Sequence, residues 1–189
     1  KTPIAETMEA LNEAQRAGKF RYLGVSNFNV NQMEELRELG ELVSLQPHYS
    51  LLKREIERTI VGYCMENSIG ILNYGTLAGG ILTGKFREIP EFEESDDRYK
   101  FYPWFRESVW DRVQALLDVL REIAAERSVS VAQVSIAWTI RQPGITTALV
   151  GAKTSDQARS NAAASEIELS EDELARIDRA YEDNFGVRK

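Results

Sequence analysis

The chain has 189 residues, 43% hydrophobic and 28% charged, so it can bury one sizeable core and has the composition of an ordinary globular domain. Its net charge of −7 argues against a surface for nucleic acid or anionic membranes, although a local basic pocket for a phosphate is compatible with it. One Cys and one His exclude a disulfide framework and a zinc site. No apolar run approaches the roughly 18 residues of a membrane span and no signal-peptide pattern opens the chain, so we expect a cytoplasmic protein.

Helical and strand patterns alternate from the start of the chain. Thr2 and Pro3 predict the N-cap and first position of a helix that keeps its apolar spacing until Gly18. The segment 22–28 is apolar around one glycine and ends in a Ser-Asn pair before its last residue, which predicts a short buried strand. The chain therefore begins on a helix that precedes its first strand.

Three later segments, 44–50, 70–77 and 146–154, repeat this strand design. Each joins an apolar run to polar or small residues and is followed by a helical pattern, which predicts parallel strands joined by helices. In an α/β barrel the carboxyl ends of the strands lie on one face, where the ligand binds. The polar ends of the predicted strands are therefore expected to lie together.

Apolar spacing and capping boxes predict the remaining helices. Their approximate ranges are 30–40, 55–67, 108–127, 130–141 and 171–182. The capping boxes are Asn29 with Gln32, Ser130 with Gln133, Thr154 with Gln157, and Ser170 with Glu173. Cys64 falls at an apolar helical position, which favours a buried, unreactive thiol.

A long connection, 86–105, follows a glycine-rich turn at 77–85 and is rich in acidic and aromatic residues. Connections of this length are usually lids or are disordered. Trp104 and its aromatic neighbours either close over a substrate or pack the connection onto the rest of the fold, and the sequence leaves both open. The acidic run 91–97 is most simply a solvated loop. No linker or repeat interrupts the chain, so residues 1–189 are assigned to one domain.

The ends of the first three predicted strands carry Ser26 and Asn27, Gln46, and Tyr74. Together they suit a flat aromatic ligand that bears a carboxamide, with the two amides pairing to it and the tyrosine ring stacking on its face. The alternative is that the Ser-Asn pair only caps the next helix. His48 has no carboxylate or nucleophile tied to it by the sequence, so a structural role is favoured over a catalytic one.

A second candidate cluster is the segment 151–157, a small-residue turn that leads into a helix. The helix N-terminus and the charge of Lys153 suit a phosphate, and the alternative is an ordinary capped helix with a solvated lysine. Gly79 and Gly80, with Lys85, allow a pyrophosphate to approach the backbone closely.

Five segments, in family order and with family spacing, resemble the C-terminal portion of an aldo-keto reductase. They are residues 2–11, 18–28, 46–54, 74–85 and 150–161. The resemblance implies a TIM-type (β/α)8 barrel, an oxidoreductase that binds NADPH and reduces aldehydes or ketones to alcohols. The catalytic Asp, Tyr, Lys and His of the family belong to the first half of the barrel. This chain is therefore expected to be truncated, to supply about the C-terminal half, and to carry no catalytic residue of its own.

The resemblance also implies roles for individual residues. Ser26, Asn27 and Gln46 match the contacts of the nicotinamide carboxamide, and Tyr74 matches the ring that stacks on nicotinamide. The remaining implied cofactor residues are Gly75, Thr76, Leu77, Gly79, Gly80 and Lys85 at the pyrophosphate, and Gly151, Lys153, Thr154, Gln157 and Asn161 at the adenosine 2′-phosphate and adenine. Two residues depart from the pattern: many members have Arg in place of Gln157 and Glu in place of Ser160.

Two hypotheses follow for partners. In the first, the chain takes a small-molecule carbonyl substrate and works with the missing N-terminal half or a second copy, without nucleic acid or membrane. In the second, it is a non-catalytic half-barrel that pairs its exposed strand edges with another copy or a partner chain. The substrate itself is not specified by any motif, because loops determine it in this fold.

Overall fold

The computed structural model describes residues 2–186, which form four parallel strands and eight α-helices. The strands are β1 (Gly24–Ser26), β2 (Ser44–Gln46), β3 (Gly70–Asn73) and β4 (Ile145–Ala148). They form one sheet in the order β1-β2-β3-β4, with every neighbouring pair parallel. Sequential parallel strands joined by helices are the arrangement of an α/β barrel, so the predicted β-α repeat is confirmed.

The strands are shorter than the predicted segments 22–28, 44–50, 70–77 and 146–154. The extended backbone ends after β1 because Asn27 adopts a φ of 57°, and after β3 because Gly75 adopts a φ of 71°. Proline follows β2 directly and has no N–H to continue the ladder. The chain therefore leaves the sheet directly after β1, whereas one parallel β-bridge, between His48 and Tyr74, still pairs the residues just beyond β2 and β3.

The helices follow the predicted alternation in the described residues. They are α1 (Ile4–Arg16), α2 (Val30–Arg37), α3 (Ile60–Glu66), α4 (Arg98–Phe101), α5 (Glu107–Arg127), α6 (Val131–Ile140), α7 (Ser155–Ala163) and α8 (Glu171–Phe185). The single helix predicted over 55–67 is wrong: a 3-10 turn, Glu55–Arg58, precedes α3, and Thr59 between them has ψ of −44° at a non-helical φ of −144°. The predicted end of the last helix at 182 is three residues short. No described helix combines the length and apolar character needed to cross a bilayer.

Three of the four predicted capping boxes are present. The side chains of Asn29, Ser130 and Ser170 each accept from the N–H three residues later, and the backbone N–H of each donates in return to that later residue's side chain. The prediction at the first helix is wrong, because Pro3 is itself the N-cap and no side chain caps α1. The prediction at Thr154 is half right: its hydroxyl caps α7, but the partner side chain bonds elsewhere.

Two apolar clusters form the core. The first lies between the sheet and helices α1 to α3 and includes Met8, Met33, Leu45, Cys64 and Ile71. The second is larger and gathers α5, α6 and α8, with Trp138 fully buried at its centre. Cys64 is buried as predicted, and its burial raises the thiol pKa to about 11, which keeps it protonated and unreactive at neutral pH.

Candidate functional site

The carboxyl ends of β1 and β2 are joined by hydrogen bonds to the backbone carbonyl of Gln46. Ser26 and Gln46 are paired in register, and both the hydroxyl of Ser26 (2.9 Å) and the N–H of Asn27 (3.2 Å) donate to the Gln46 carbonyl oxygen. The side chain of Gln46 is exposed at this edge of the sheet. Three of the predicted carboxamide contacts therefore lie together.

Tyr74 joins this group from the end of β3. Its hydroxyl donates to Oδ1 of Asn27 at 3.2 Å, which orients the Asn27 amide across two strand ends. Asn27 reaches this position because its backbone is left-handed, a conformation that Asn tolerates better than most residues. The alternative that Ser26 and Asn27 cap the next helix is wrong, because Asn29 is the N-cap of α2.

The end of β3 is fixed by a side chain to which the sequence analysis assigned no role. Asn73 is fully buried, and its Nδ2 donates to the Tyr49 carbonyl oxygen at 2.9 Å and to the Thr76 hydroxyl at 3.0 Å. That hydroxyl donates in turn to the Leu149 carbonyl oxygen after β4. Thr76 is only 1% exposed, so its side chain links β3 to β4. In the sequence, the signal for this role was a polar residue placed directly after an apolar run.

The glycine-rich turn after Tyr74 contains two short 3-10 turns within Ala78–Thr83, separated by a kink at Gly79 and Gly80. Gly79 and Gly80 have φ of 67° and 98°, which favours glycine at both positions. A Cβ on Gly79 would also lie 2.7 Å from the Tyr102 ring, whereas a Cβ on Gly80 would make only ordinary contacts. The ammonium of Lys85 lies 4.6 Å from the centre of the Phe86 ring. Glycine is thus favoured in this turn by its backbone dihedral angles and, at Gly79, also by the nearby Tyr102 of the long connection.

The segment leading into α7 bonds to itself. The side chain of Gln157 accepts the Lys153 N–H at 2.7 Å, and Nδ2 of Asn161 donates to the Gly151 carbonyl oxygen at 3.3 Å. Thr154 accepts the Gln157 N–H at 3.2 Å. All of these residues except Asn161 are exposed, and a Cβ on Gly151 would meet open space. The Lys153 side chain therefore stands at an open helix N-terminus.

A groove of about 440 Å³ lies beside this segment, between α6, β4 and α7. Its walls are mainly apolar or small side chains, including Ile140, Val150, Ala158 and Ala162. Asn161 supplies an amide at the same groove. An apolar slot with one amide suits a flat heterocycle.

The long connection 86–105 is folded. It contains α4 and a 3-10 turn, Pro103–Phe105, and Phe105 is fully buried against Phe86 and Phe92. Phe86, Phe92 and Phe105 thus pack the connection onto the core, whereas Tyr99 and Phe101 are 49% and 72% exposed. Tyr102 and Trp104 remain half-buried, beside His48.

Charges also join the connection to the α7 segment. Arg98 donates to both carboxylate oxygens of Asp96, and these bonds lower the pKa of Asp96 to about 2. The positive charge of Lys153 contributes to the same shift. The acidic run is therefore positioned close enough to the candidate phosphate segment to interact with it.

His48 lies in the middle of the aromatic group. Burial, followed by the charge of Lys53, lowers its pKa from the usual value, so the imidazole is neutral at pH 7. Burial, followed by the nearby Tyr74, raises the pKa of Tyr102. Neither group carries charge at neutral pH. Within residues 2–186 no three His, Cys, Asp or Glu side chains lie close enough to hold a metal ion.

Comparison with known proteins gives a consistent result. The family model described as "Aldo/keto reductase family" matches residues 1–182. The chain is 38% identical over 156 residues to "Aldo-keto reductase YhdN" of Bacillus subtilis, covering 82% of this chain and 47% of that protein. It is 31% identical to "NADH-specific methylglyoxal reductase" of Escherichia coli (90% of this chain, 51% of that protein) and 30% identical to "Aldo-keto reductase yakc [NADP(+)]" of Schizosaccharomyces pombe (93% and 52%).

A solved structure from the same comparison is also similar in fold. A glycerol dehydrogenase from Gluconobacter oxydans superposes with a TM-score of 0.90 at 30% identity, covering 100% of this chain and 57% of that one. The chain thus spans about half the length of the relatives it matches.

Proposed function

Because the chain belongs to the aldo/keto reductase family, whose members are oxidoreductases, we propose that it carries the cofactor-binding part of an NADPH-dependent carbonyl reductase. The observation that carries the proposal is that hydrogen bonds connect three strand ends. The Tyr74 hydroxyl donates to Asn27, and the Ser26 hydroxyl donates to the Gln46 carbonyl oxygen. Polar groups at the carboxyl ends of parallel strands are where α/β barrels bind their ligands.

The nicotinamide end of the cofactor fits these residues. The Asn27 amide, already held by Tyr74, and the exposed Gln46 side chain offer the donors and acceptors that a carboxamide needs. The Tyr74 ring supplies a flat surface for stacking. These residues bind and orient the ring, while the bound cofactor supplies the hydride for reduction of the carbonyl carbon.

The adenosine end fits the α7 segment. Lys153 stands at an open helix N-terminus, where its charge and the partial positive charge of the helix both favour a phosphate. The apolar groove with Asn161 offers a slot for adenine. Relatives of both cofactor types exist, one named NADH-specific and one named for NADP(+), so our proposal of NADPH rests on Lys153.

The proton for the carbonyl oxygen needs an acid outside this set. The Tyr74 hydroxyl is already bonded to Asn27. We propose that the acid comes from the part of the barrel that the relatives have and this chain does not span, as the resemblance implies. Adding a separately produced N-terminal half should then restore carbonyl-dependent oxidation of NADPH. An assembled barrel that binds NADPH without turnover would contradict catalysis.

The first test measures direct binding of NADPH to the chain through the fluorescence of NADPH. Tyr74→Ala should weaken binding about tenfold, because it removes both the stacking surface and the partner of Asn27. Tyr22→Ala is the matched control, since Tyr22 is 68% exposed and precedes β1 at the other end of the strand. Equal binding by both variants would contradict this site for nicotinamide.

Lys153→Met tests the choice of cofactor. We expect NADPH affinity to fall about tenfold and NADH affinity to change little, because a charge-assisted bond to the 2′-phosphate is lost only with NADPH. Lys19→Met, which removes an equal charge from the turn after α1, controls for general electrostatics. An equal loss for both cofactors would show that Lys153 does not read the 2′-phosphate.

A second candidate function is favoured by the sheet edges. In the described part of the chain β1 pairs only with β2 and β4 only with β3, so each has an edge with no strand beside it. Such edges favour association. We therefore also consider a half-barrel that closes its sheet with another copy or a partner chain.

A further inference from the structure

His48 contacts three aromatic rings that belong to two different parts of the fold. Its imidazole stacks on Tyr74 with ring centres 5.0 Å apart and an interplanar angle of 22°. It meets Tyr102 edge-on at 5.6 Å and Trp104 edge-on at 6.4 Å. One ring thus connects the strand end of the candidate site to the long connection 86–105.

The stack fixes which side of Tyr74 is open to a ligand. His48 and Tyr74 are also joined by a parallel β-bridge just beyond β2 and β3, so the backbones hold the two rings in line. Because His48 covers one face of the Tyr74 ring, a ligand has to stack on the other. The Tyr74 hydroxyl is tied to Asn27 at the same time, so both the ring plane and its rotation are set.

Two glycines show how closely these rings fit. A Cβ on Gly75 would lie 2.5 Å from Cδ2 and Nε2 of His48, and a Cβ on Gly79 would lie 2.7 Å from Cδ2 of Tyr102. Distances under 3 Å between such atoms require a shift of the neighbouring group. The backbone beyond β3 therefore leaves room for these two rings only because both positions are glycine.

The contacts of His48 are those of a flat ring rather than those of a hydrogen-bonding group. Its Nε2 is buried and has no hydrogen-bond partner among the described residues. A proton donor or acceptor at this position would normally be satisfied when buried. The side-chain contacts that the structure shows for His48 are therefore ring contacts with Tyr74, Tyr102 and Trp104.

We propose that His48 is a positioning residue, which holds Tyr74 for cofactor stacking on one side and anchors Tyr102 and Trp104 of the long connection on the other. The first half of this proposal rests on the proposed function, and the second half does not. Loss of the ring should release the connection and weaken cofactor binding together.

The test compares a flat replacement with a branched one. His48→Phe keeps a ring, so its rate of tryptic cleavage and its dissociation constant for NADPH should stay within about twofold of the wild-type values. His48→Leu has apolar bulk but no ring, so the stack and both edge contacts are lost. Met8→Ala controls for general loss of stability, because Met8 is buried in the cluster between the sheet and α1 to α3, away from the connection.

The first measurement is the rate of tryptic cleavage after Arg98 and Lys100, under conditions in which the chain stays folded. Cleavage requires local opening, so its rate reports how firmly the connection is anchored. We expect an increase of about tenfold in His48→Leu and no selective increase in Met8→Ala. The second measurement is the dissociation constant for NADPH, which should rise about fivefold in His48→Leu.

The outcomes separate the two proposals. If the wild-type chain does not bind NADPH, the proposed function fails, while the cleavage rates still decide whether His48 anchors the connection. If His48→Leu is cleaved and binds like the wild type, or if His48→Phe behaves like His48→Leu, the positioning role is overturned. Because His48 is the sole histidine, its imidazole signal in a proton NMR spectrum also gives an unambiguous check that the ring lies among aromatic neighbours.

Discussion

Gly75 shows how a single backbone position shapes the candidate site. Its φ of 71° turns the chain out of β3, and its missing side chain leaves space for His48. The Tyr74 ring, one residue earlier, depends on both effects: the turn ends the strand at the site, and the histidine covers one ring face. Conformational freedom and close packing are thus required at the same residue.

Gly75→Ala should lower the free energy of unfolding by about 1–3 kcal/mol, because it places a Cβ in a left-handed conformation and against a ring. The measurement is denaturant unfolding of both proteins. Gly62→Ala is the matched control, since Gly62 lies within α3 with open space around it, and alanine there should stabilise by about 0.5–1 kcal/mol. Similar effects of the two changes would contradict this account of Gly75.

Helices α5 and α8 are joined by an ion pair at the N-terminus of α8. Arg127, near the end of α5, donates through Nη2 to Glu173 Oε2 at 2.6 Å and through Nε to Oε1. The same carboxylate accepts the Ser170 N–H at 2.6 Å and completes the capping box of α8. One carboxylate therefore both begins a helix and ties it to its neighbour, and Glu173 is 7% exposed.

This pair makes stability depend on acid pH. The hydrogen bond from Arg127 lowers the pKa of Glu173 from 4.5 to about 2. Because the folded pKa lies below that of the unfolded chain, the stabilisation is complete above about pH 4.5 and is lost as the pH falls toward 2. Glu173→Gln should lower the free energy of unfolding at pH 7 by about 1–3 kcal/mol and flatten its decline between pH 4.5 and 2. Unfolding measured across this range checks both.

The control for this prediction lies on the same helix. Glu171 is exposed in the first turn of α8, so Glu171→Gln should leave the acid dependence nearly unchanged. A decline with falling pH that is identical in wild type and Glu173→Gln would show that other carboxylates produce it.

In residues 2–186 the sheet has two outer strands, β1 and β4, and an apolar cluster on the side of helices α1 to α3. The apolar cluster beneath β1 to β3 lies against helices α1 to α3, whereas the opposite face carries small residues such as Gly24 and Gly70, close to Ser44 and Thr146. An exposed tyrosine, Tyr22, precedes β1. In the described residues the outer edges of β1 and β4 are therefore unpaired, and an exposed apolar side chain lies next to each of these strands, Tyr22 before β1 and Leu149 after β4.

If these edges drive association, the chain at micromolar concentration should sediment as a dimer or larger species. Replacing Tyr22 and Leu149, which are 68% and 40% exposed beside β1 and β4, by Glu should shift it toward monomer. The matched control replaces Leu39 and Met65, which are 39% and 56% exposed in the helical layer. A wild-type chain that stays monomeric at high concentration would exclude the half-barrel that associates through its edges.

The local features of this protein could be predicted from the sequence. Helix spacing and the capping boxes at Asn29, Ser130 and Ser170 depend on residues within one or two turns, so they can be recognised in a linear pattern. The β-α alternation and the polar strand ends were predicted for the same reason. The family resemblance further grouped the residues that the strand ends bring together.

The contacts between residues far apart in the sequence could not be predicted and are seen only in the folded chain. The bond between Gln157 and Lys153 replaced a predicted capping interaction, and the role of Asn73 depends on a threonine and on a carbonyl after β4. His48 contacts Trp104, a residue far away in the sequence, and the ion pair of Arg127 joins two helices. Such contacts depend on how the helices and strands pack against one another, and the spacing of residues along the chain does not predict that packing.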